Sequence, residues 1–278
     1  MKYGFLFLIL LFFLYIFSLS GRRRNPGLEP FRSFRYAHRG LHDSVRPENS
    51  LSAFQAAVDH GYGAELDVHL LKDGSLAVFH DSDLFRVTGK QGHIQDLTAE
   101  DLSGYPLSGT EQTIPLFSQV LSVFCGKTPL IVELKVDDNN YGPLCDAVCK
   151  MLDGYSGRYC LESFDPRCIR YLRKHYPDRI RGQLSEDYLG RGAKSPFLVK
   201  LLCGWLMTNF LTKPDFIAYR FEDRKNLHCT IARKLWGIQG VSWTLKTKED
   251  FESAVSEGWI PIFENIIPEF CLPGSRLA

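Results

Sequence analysis

Short apolar runs, each closed by a polar cluster, recur along the chain from Phe34 onward. Apolar and polar residues alternate from Phe34 into Ala37-His38-Arg39-Gly40. The run Tyr62-Gly63-Ala64-Glu65-Leu66-Asp67-Val68 carries two carboxylates, and Leu76-Ala77-Val78-Phe79 ends in His80-Asp81. Runs of this length and β-branched content predict strands. They fall at 35–38, 63–70, 76–79, 130–135, 159–164, 180–184, 215–219, 240–244 and 259–263. Between them the pattern changes to a helical period. A helix starts at Pro47-Glu48-Asn49-Ser50, where Asn49 or Ser50 can cap it and Leu51, Phe54, Ala57 and Val58 form its apolar face. Further helices are predicted over 115–124, 141–152 and 166–176, and from Asn226 and Lys248. Thr98-Ala99-Glu100-Asp101 reads as the capped start of a brief helix.

Alternating strands and helices imply a parallel α/β sheet. Polar residues gathered at several strand ends favour a closed (β/α)8, TIM-type barrel over an open doubly wound sheet. Nine strand candidates are one too many for eight. The surplus is assigned to Leu76–Phe79, which Lys72-Asp73-Gly74-Ser75 turns back onto the strand before it. The polar, turn-rich stretch 81–114 is expected to be an insertion, giving a barrel over 34–270 that carries it. No glycine-rich nucleotide or phosphate loop follows any strand.

Residues 3–19 hold no charge and are dominated by Leu, Phe and Ile. About 17 such residues lie at the lower edge for a spanning helix, so 1–21 is expected as an uncleaved transmembrane anchor and 22–33 as a linker. Ser18-Leu19-Ser20 offers a signal-cleavage alternative. Arg22-Arg23-Arg24 against the single Lys2 places the following domain in the cytoplasm by the positive-inside rule. The apolar stretch 197–211 has two readings: a helix of the barrel's outer ring, or an interfacial helix resting Trp205 and Phe210 on a membrane.

Composition changes this picture little. In 278 residues, 45% are hydrophobic and 23% charged, as in a globular protein with a sizeable core. A net charge of +1 argues against a nucleic-acid partner bound through bulk electrostatics. Any anionic ligand must be held by local groups. The eight cysteines show no Cys-x-x-Cys spacing and suit buried thiols in a reducing compartment.

His38, Arg39, Glu65, Asp67 and His80 therefore form either one polar site at strand ends or a set of solvated loop residues. The ordered set His38-Arg39-Gly40, Pro47-Glu48-Asn49-Ser50, Glu65-Leu66-Asp67-Val68, Lys72-Asp73-Gly74, Val78-Phe79-His80-Asp81, Ile114-Pro115-Leu116, Val132-Glu133-Leu134-Lys135, Ser163-Phe164 and Trp243-Thr244 resembles the glycerophosphodiester phosphodiesterase family. The resemblance implies a barrel hydrolase that splits glycerophosphodiesters into an alcohol and glycerol 3-phosphate with a divalent metal. It implies Glu65, Asp67 and Glu133 as metal carboxylates, His38 and His80 as the acid–base pair, and Arg39 and Lys135 on phosphate. Oxygen ligands suit Mg²⁺ or Ca²⁺, and histidine suits proton transfer near neutral pH. Trp243 either packs on the glycerol carbons or belongs to the core. Glu48 either partners Arg39 or serves as a helix-start acid, and His69 is expected to point away from the site. Phe263-Glu264-Asn265 departs from the Thr-Asp pair that the family often shows there, a departure expected to touch no catalytic residue. A lysophospholipase D acting on lysolipids, and a non-catalytic membrane-tethered phosphodiester-binding module, are the alternative functions.

Overall fold

The computed structural model of the protein describes residues 2–22, 25–190 and 196–268. Among the described residues nine strands form one sheet: β1 (Tyr36–His38), β2 (Gly63–Leu70), β3 (Leu76–Val78), β4 (Leu130–Leu134), β5 (Tyr159–Ser163), β6 (Arg181–Ser185), β7 (Phe216–Arg220), β8 (Gln239–Leu245) and β9 (Ile260–Phe263). Eight of them are parallel neighbours in the cyclic order β1-β2-β4-β5-β6-β7-β8-β9, and the β9–β1 pairing closes the barrel. β3 is the surplus strand; it runs antiparallel to β2, with Val68 opposite Val78.

Helices fill the connections. The larger ones are α1 (Lys2–Ser18), α2 (Glu29–Arg32), α3 (Leu51–Asp59), α4 (Phe85–Thr88), α5 (Phe117–Phe124) and α6 (Tyr141–Asp153). After them come α7 (Pro166–His175), α8 (Phe197–Gly204), α9 (Asn209–Thr212), α10 (Leu227–Lys234) and α11 (Lys248–Ser256). Helices α3, α5, α6 and α7 lay Phe54, Phe124, Val148 and Ile169 against the outward residues Leu66, Val68, Val132 and Leu134 of β2 and β4. The inward residues of the barrel include Tyr36, Ile131, Cys160, Phe216 and Val241. Strand period two then sends Glu65 and Asp67 inward, because Ala64, Leu66 and Val68 face the helices.

Residues 81–114 wind through α4 and short turns around their own apolar cluster of Leu84, Val87, Ile94, Leu102 and Ile114. Thr98 does bond Asp101, through both its backbone N–H and its hydroxyl, but the turn that follows is a single 3-10 stretch, Asp101–Gly104.

Two expectations are corrected. Among the described residues no helix is long and apolar enough to cross a membrane. Helix α1 has 17 residues, a rise of about 26 Å against a hydrocarbon thickness of about 30 Å. It cannot continue, because the next residues are committed to the barrel. Leu19 is fully buried, Lys213 Nζ donates to Ser20 Oγ at 2.6 Å, and Arg22 N–H donates to Pro214 O at 2.8 Å. Arg23 and Arg24, used to orient the chain, lie outside the described residues, as does Cys271. The stretch expected as a linker packs Leu28 and Phe31 into the barrel's interior cluster.

The second correction concerns 197–211. It is two helices rather than one, separated at Leu206, whose φ is +57°. Phe197, Leu198 and Val199 are 69%, 61% and 46% exposed, so the start of α8 is not a packed outer-ring helix.

Candidate active site

The site sits at the carboxyl ends of the barrel strands, where side chains from separate strands meet. Register brings the parts together: His38 lies beside Glu65 across β1 and β2, Asp67 beside Glu133 across β2 and β4, and Glu133 beside Glu162 across β4 and β5. Glu65, Asp67 and Glu133 are all buried, and one oxygen from each lies within 4.8 Å of the others. Burial comes first in raising the Glu65 carboxyl well above its usual range, with the charges of Asp67 and Glu133 adding to it. Glu133 is pushed up to about 7 by burial and by Asp67, against the opposing pull of Lys135. Burial would raise Asp67 too, but Lys135, His80 and Arg39 outweigh it and hold this carboxyl low. Asp67 Oδ1 has no hydrogen-bond partner among the described residues; Lys135 Nζ stands 3.4 Å from it and 3.0 Å from Glu133 Oε1. Crowded, buried carboxylates with spare oxygens fit a hard divalent cation, which would relieve their mutual repulsion.

The two histidines share one arrangement. His38 Nδ1 donates to Glu264 Oε2 at 2.6 Å, and His80 Nδ1 donates to Asp81 Oδ1 at 2.6 Å. A carboxylate can only accept, so each bond sets the tautomer and leaves Nε2 for the site. His38 Nε2 is 3.9 Å from Glu65 Oε2. Burial is the main reason both imidazoles are less basic than usual. His38 is lowered despite Glu264, and His80 falls to about 4, with Lys135 and Arg39 assisting. Glu264 is held down to about 2: burial opposes this, but the His38 bond and Lys246 outweigh it.

Arg39 adopts φ +56°, and the next residue, Gly40, has φ +82° with the Ala53 backbone 2.9 Å from where a Cβ would stand. Only glycine fits that tight turn, which folds the loop after β1 over α3. The Arg39 guanidinium donates to Glu48 Oε1 at 2.9 Å, and its Nε lies 3.6 Å from Asp67. Glu48 also receives two bonds from Arg86, which in turn pairs with Asp81. Glu48 thus links Arg39, through Arg86, to Asp81, the carboxylate that holds His80. Ser50, not Asn49, caps α3 by accepting from Ala53 N–H. Asn49, also at positive φ, instead donates to Asp67 Oδ2 at 2.9 Å and fixes that carboxylate.

A cavity of about 390 Å³ is lined by His38, Arg39, Glu65, His80, Glu133 and Trp243, with Phe164 and Arg220 among the remaining lining residues. Asp67 and Lys135 are not among the lining residues and join the group through the carboxylate trio and through Glu133. Trp243 lines the cavity and meets Phe164 edge to face at 5.7 Å.

His69, two residues past Asp67 and buried, donates to Asp137 Oδ2 at 2.9 Å; it braces the loop after β4 and is not among the residues that line the cavity. Two functional residues escaped the sequence reading. Glu264 was set aside as a departure, yet it holds His38. Glu162 is 1% exposed, its Oε2 unpartnered among the described residues, and it is raised well above the usual range by burial, then by Glu133 and Asp67. Its signal was present: Cys160 and Glu162 alternate inward on β5 as Ile131 and Glu133 do on β4.

A closed parallel barrel whose cavity combines clustered buried carboxylates, cationic side chains and two carboxylate-held histidines suits the hydrolysis of anionic esters. Residues 38–265 match the glycerophosphoryl diester phosphodiesterase family, and the chain belongs to that family; it is a phosphoric diester hydrolase. A glycerophosphodiester phosphodiesterase of Caldanaerobacter subterraneus subsp. tengcongensis is 28% identical over 80% of this chain and 89% of its own length. A lysophospholipase D of Rattus norvegicus is 34% identical over 39% of this chain and 38% of its own length. The fold matches that of an Oleispira antarctica phosphodiesterase solved in complex with the product sn-glycerol-3-phosphate, with TM-score 0.69 and 20% identity over 83% of this chain and 92% of that one.

Proposed function

We propose that the protein hydrolyses glycerophosphodiesters to an alcohol and glycerol 3-phosphate, as a step in glycerophospholipid breakdown. The observation that carries the reading is the buried trio Glu65, Asp67 and Glu133 beside two histidines, each held by its own carboxylate. The trio would hold Mg²⁺ or Ca²⁺, and the cation's contribution is charge neutralisation at phosphate. Arg39 presents a planar fork to the phosphate oxygens, and Lys135 adds a point charge. His38 and His80 are both neutral at pH 7 in this setting, the form that accepts a proton at Nε2. Glu264 and Asp81 then stabilise the imidazolium so formed, which returns its proton to the departing alkoxide. Trp243 and Phe164 offer apolar surface to the glycerol carbons.

The test is glycerol 3-phosphate release from glycerophosphocholine by the purified full chain, with Mg²⁺ or Ca²⁺ and with chelator. His38→Ala and His80→Ala are each expected to lower kcat by roughly 10²- to 10⁴-fold. Metal-independent release, or full activity in both variants, sinks the proposal.

We also propose that the barrel works on the cytoplasmic side. Cys145 and Cys168 place their sulfurs 3.3 Å apart as free thiols, an arrangement suited to a reducing compartment. Labelling of exposed Cys125 by an impermeant reagent in intact cells would refute it.

A further inference from the structure

The wall of the catalytic cavity changes character at Glu162 on β5. On one side, across the strand register, stands Glu133 with the rest of the carboxylate trio. On the other, β6 offers Gly182 and then Leu184, and Phe164, Trp243 and Ile262 complete an apolar face. Glu162 lines this cavity while only 1% exposed, and its Oε2 has no hydrogen-bond partner among the described residues. Donors that could meet it are committed elsewhere. Lys135 Nζ pairs with Glu133 at 3.0 Å and with Asp67 at 3.4 Å. Gln183 Nε2 on the neighbouring strand bonds the Ser163 and Phe164 carbonyls. Leaving a buried polar oxygen unpaired costs more than a made hydrogen bond returns, so the partner of Glu162 comes from the cavity.

A cation does not answer for Glu162 as it does for the trio. Glu162 is not one of the three carboxylates whose oxygens cluster, and it stands one strand spacing, about 5 Å, beyond Glu133. A hydroxyl does answer for it. That group both donates and accepts, so it satisfies a carboxyl oxygen whether or not the oxygen bears a proton. A glycerophosphodiester carries two free hydroxyls. The secondary one neighbours the carbon that bears the phosphate ester and stays close to the trio. The terminal one is a carbon further out, where the carboxylates give way to the apolar face. We infer that Glu162 hydrogen-bonds the terminal hydroxyl of the glycerol and is a specificity-determining residue of the reaction. The inference rests on the proposed phosphodiester hydrolysis and adds to it the residue that reads the glycerol end. The glycerol is then held at both polar ends, with its carbons on Phe164 and Trp243 between them.

The experiment compares kcat/KM on glycerophosphocholine with that on the phosphocholine diester of propane-1,2-diol, which lacks only the terminal hydroxyl. It uses the full chain with Mg²⁺ or Ca²⁺. The parent is expected to lose roughly ten- to a hundredfold on the analogue, since the buried oxygen is then left unpaired. In Glu162→Met, and separately in Glu162→Ala, the ratio between the two substrates should fall to near unity. Two variants keep the test decisive should one fail to fold. A merely structural Glu162 would lower both rates together and leave the ratio as in the parent, which overturns the inference. A parent that does not discriminate overturns it as well, because water alone then meets the oxygen. Calorimetric binding of sn-glycerol 3-phosphate and of propane-1,2-diol phosphate reads the contact apart from turnover. A preference for glycerol 3-phosphate that both variants lose, without hydrolysis of any diester, would keep the contact and refute the hydrolytic reading. Hydrolysis with no preference in rate or affinity would overturn the contact alone.

Discussion

Glu264 and Asp81 each accept the Nδ1 proton of a histidine at 2.6 Å, and that one bond decides which nitrogen faces the substrate. Glu264 remains ionised down to about pH 2, so its support for a charged His38 is present throughout the working range. Replacing it by Gln keeps an acceptor but removes the charge. Glu264→Gln is expected to lower kcat roughly tenfold to a hundredfold with KM nearly unchanged, and Glu264→Asp should recover part of the loss. A kinetic split of kcat against KM checks this, and an unchanged kcat would return Glu264 to a structural role. His228 gives a residue-scale prediction about stability. It is 5% exposed and bonds Tyr219 Oη at 2.8 Å, and burial lowers it from 6.5 to about 4. Between those values the unfolded chain binds a proton that the folded chain does not, so stability falls as pH drops from about 6.5 to 4. Above that window the group contributes no pH dependence. The loss amounts to roughly 3 kcal/mol at most. Urea midpoints of His228→Gln should therefore decline less steeply between pH 7 and 4 than those of the parent; parallel declines contradict the assignment.

At the scale of elements, the barrel's geometry depends on small residues where neighbouring strands need room. Gly182 on β6 lies opposite Phe216 on β7, and a Cβ at 182 would meet the Phe216 ring at 2.1 Å. Phe216 is fully buried among the inward residues, so it has nowhere to move without displacing Val241 or Ile260. Gly182→Ala is expected to destabilise the fold by about 1–3 kcal/mol, read as a lower denaturation midpoint; an unchanged midpoint means the ring relaxes freely. Helix α3 shows a different dependence. Its cap, Ser50, and its preceding Asn49 do separate jobs one residue apart, one starting the helix and the other holding Asp67. The segment 81–114 is tied to the site by Arg86, which bonds Glu48 and pairs with Asp81. The same segment also packs its apolar cluster against Leu71, Ala77 and Phe79, the last of these next to His80.

For the whole molecule, burying Glu65, Asp67 and Glu133 together stores repulsion that a divalent cation would relieve. A cation that binds the folded chain and not the unfolded one adds about 2.7 kcal/mol at a hundred times its Kd. For a chain of this size that amounts to roughly 5–10 °C in Tm. Mg²⁺ and Ca²⁺ titrations of Tm are expected to show it, and Asp67→Asn should abolish it; a metal-independent Tm in the parent refutes the cation site.

Much of this architecture was legible in the sequence. Each predicted strand appears within a residue or two of its place, because the apolar runs are short, β-branched and bounded by turn residues. The Asp73-Gly74 turn correctly marked β3 as the strand outside the barrel. Glu65, Asp67 and Glu133 were singled out by the family resemblance; period two, which sets Ala64, Leu66 and Val68 against the helices, agrees with it and would have turned Glu162 inward as well. What sequence could not supply was proximity between distant segments. Glu264 reaches His38 only because β9 closes the barrel against β1, a pairing of residues over two hundred positions apart. Glu48 reaches Arg86 across 38 residues, another contact that no local pattern contains. The apolar amino terminus stops being a helix at Ser18 because Leu19 and Ser20 find partners on the barrel. Local pattern determined which residues form strands and which face inward, since alternation and turn chemistry act over a few residues. Ring closure decided that Glu264 holds His38, since that is a contact between distant strands and not a property of either, whereas Asp81 holds its sequence neighbour His80.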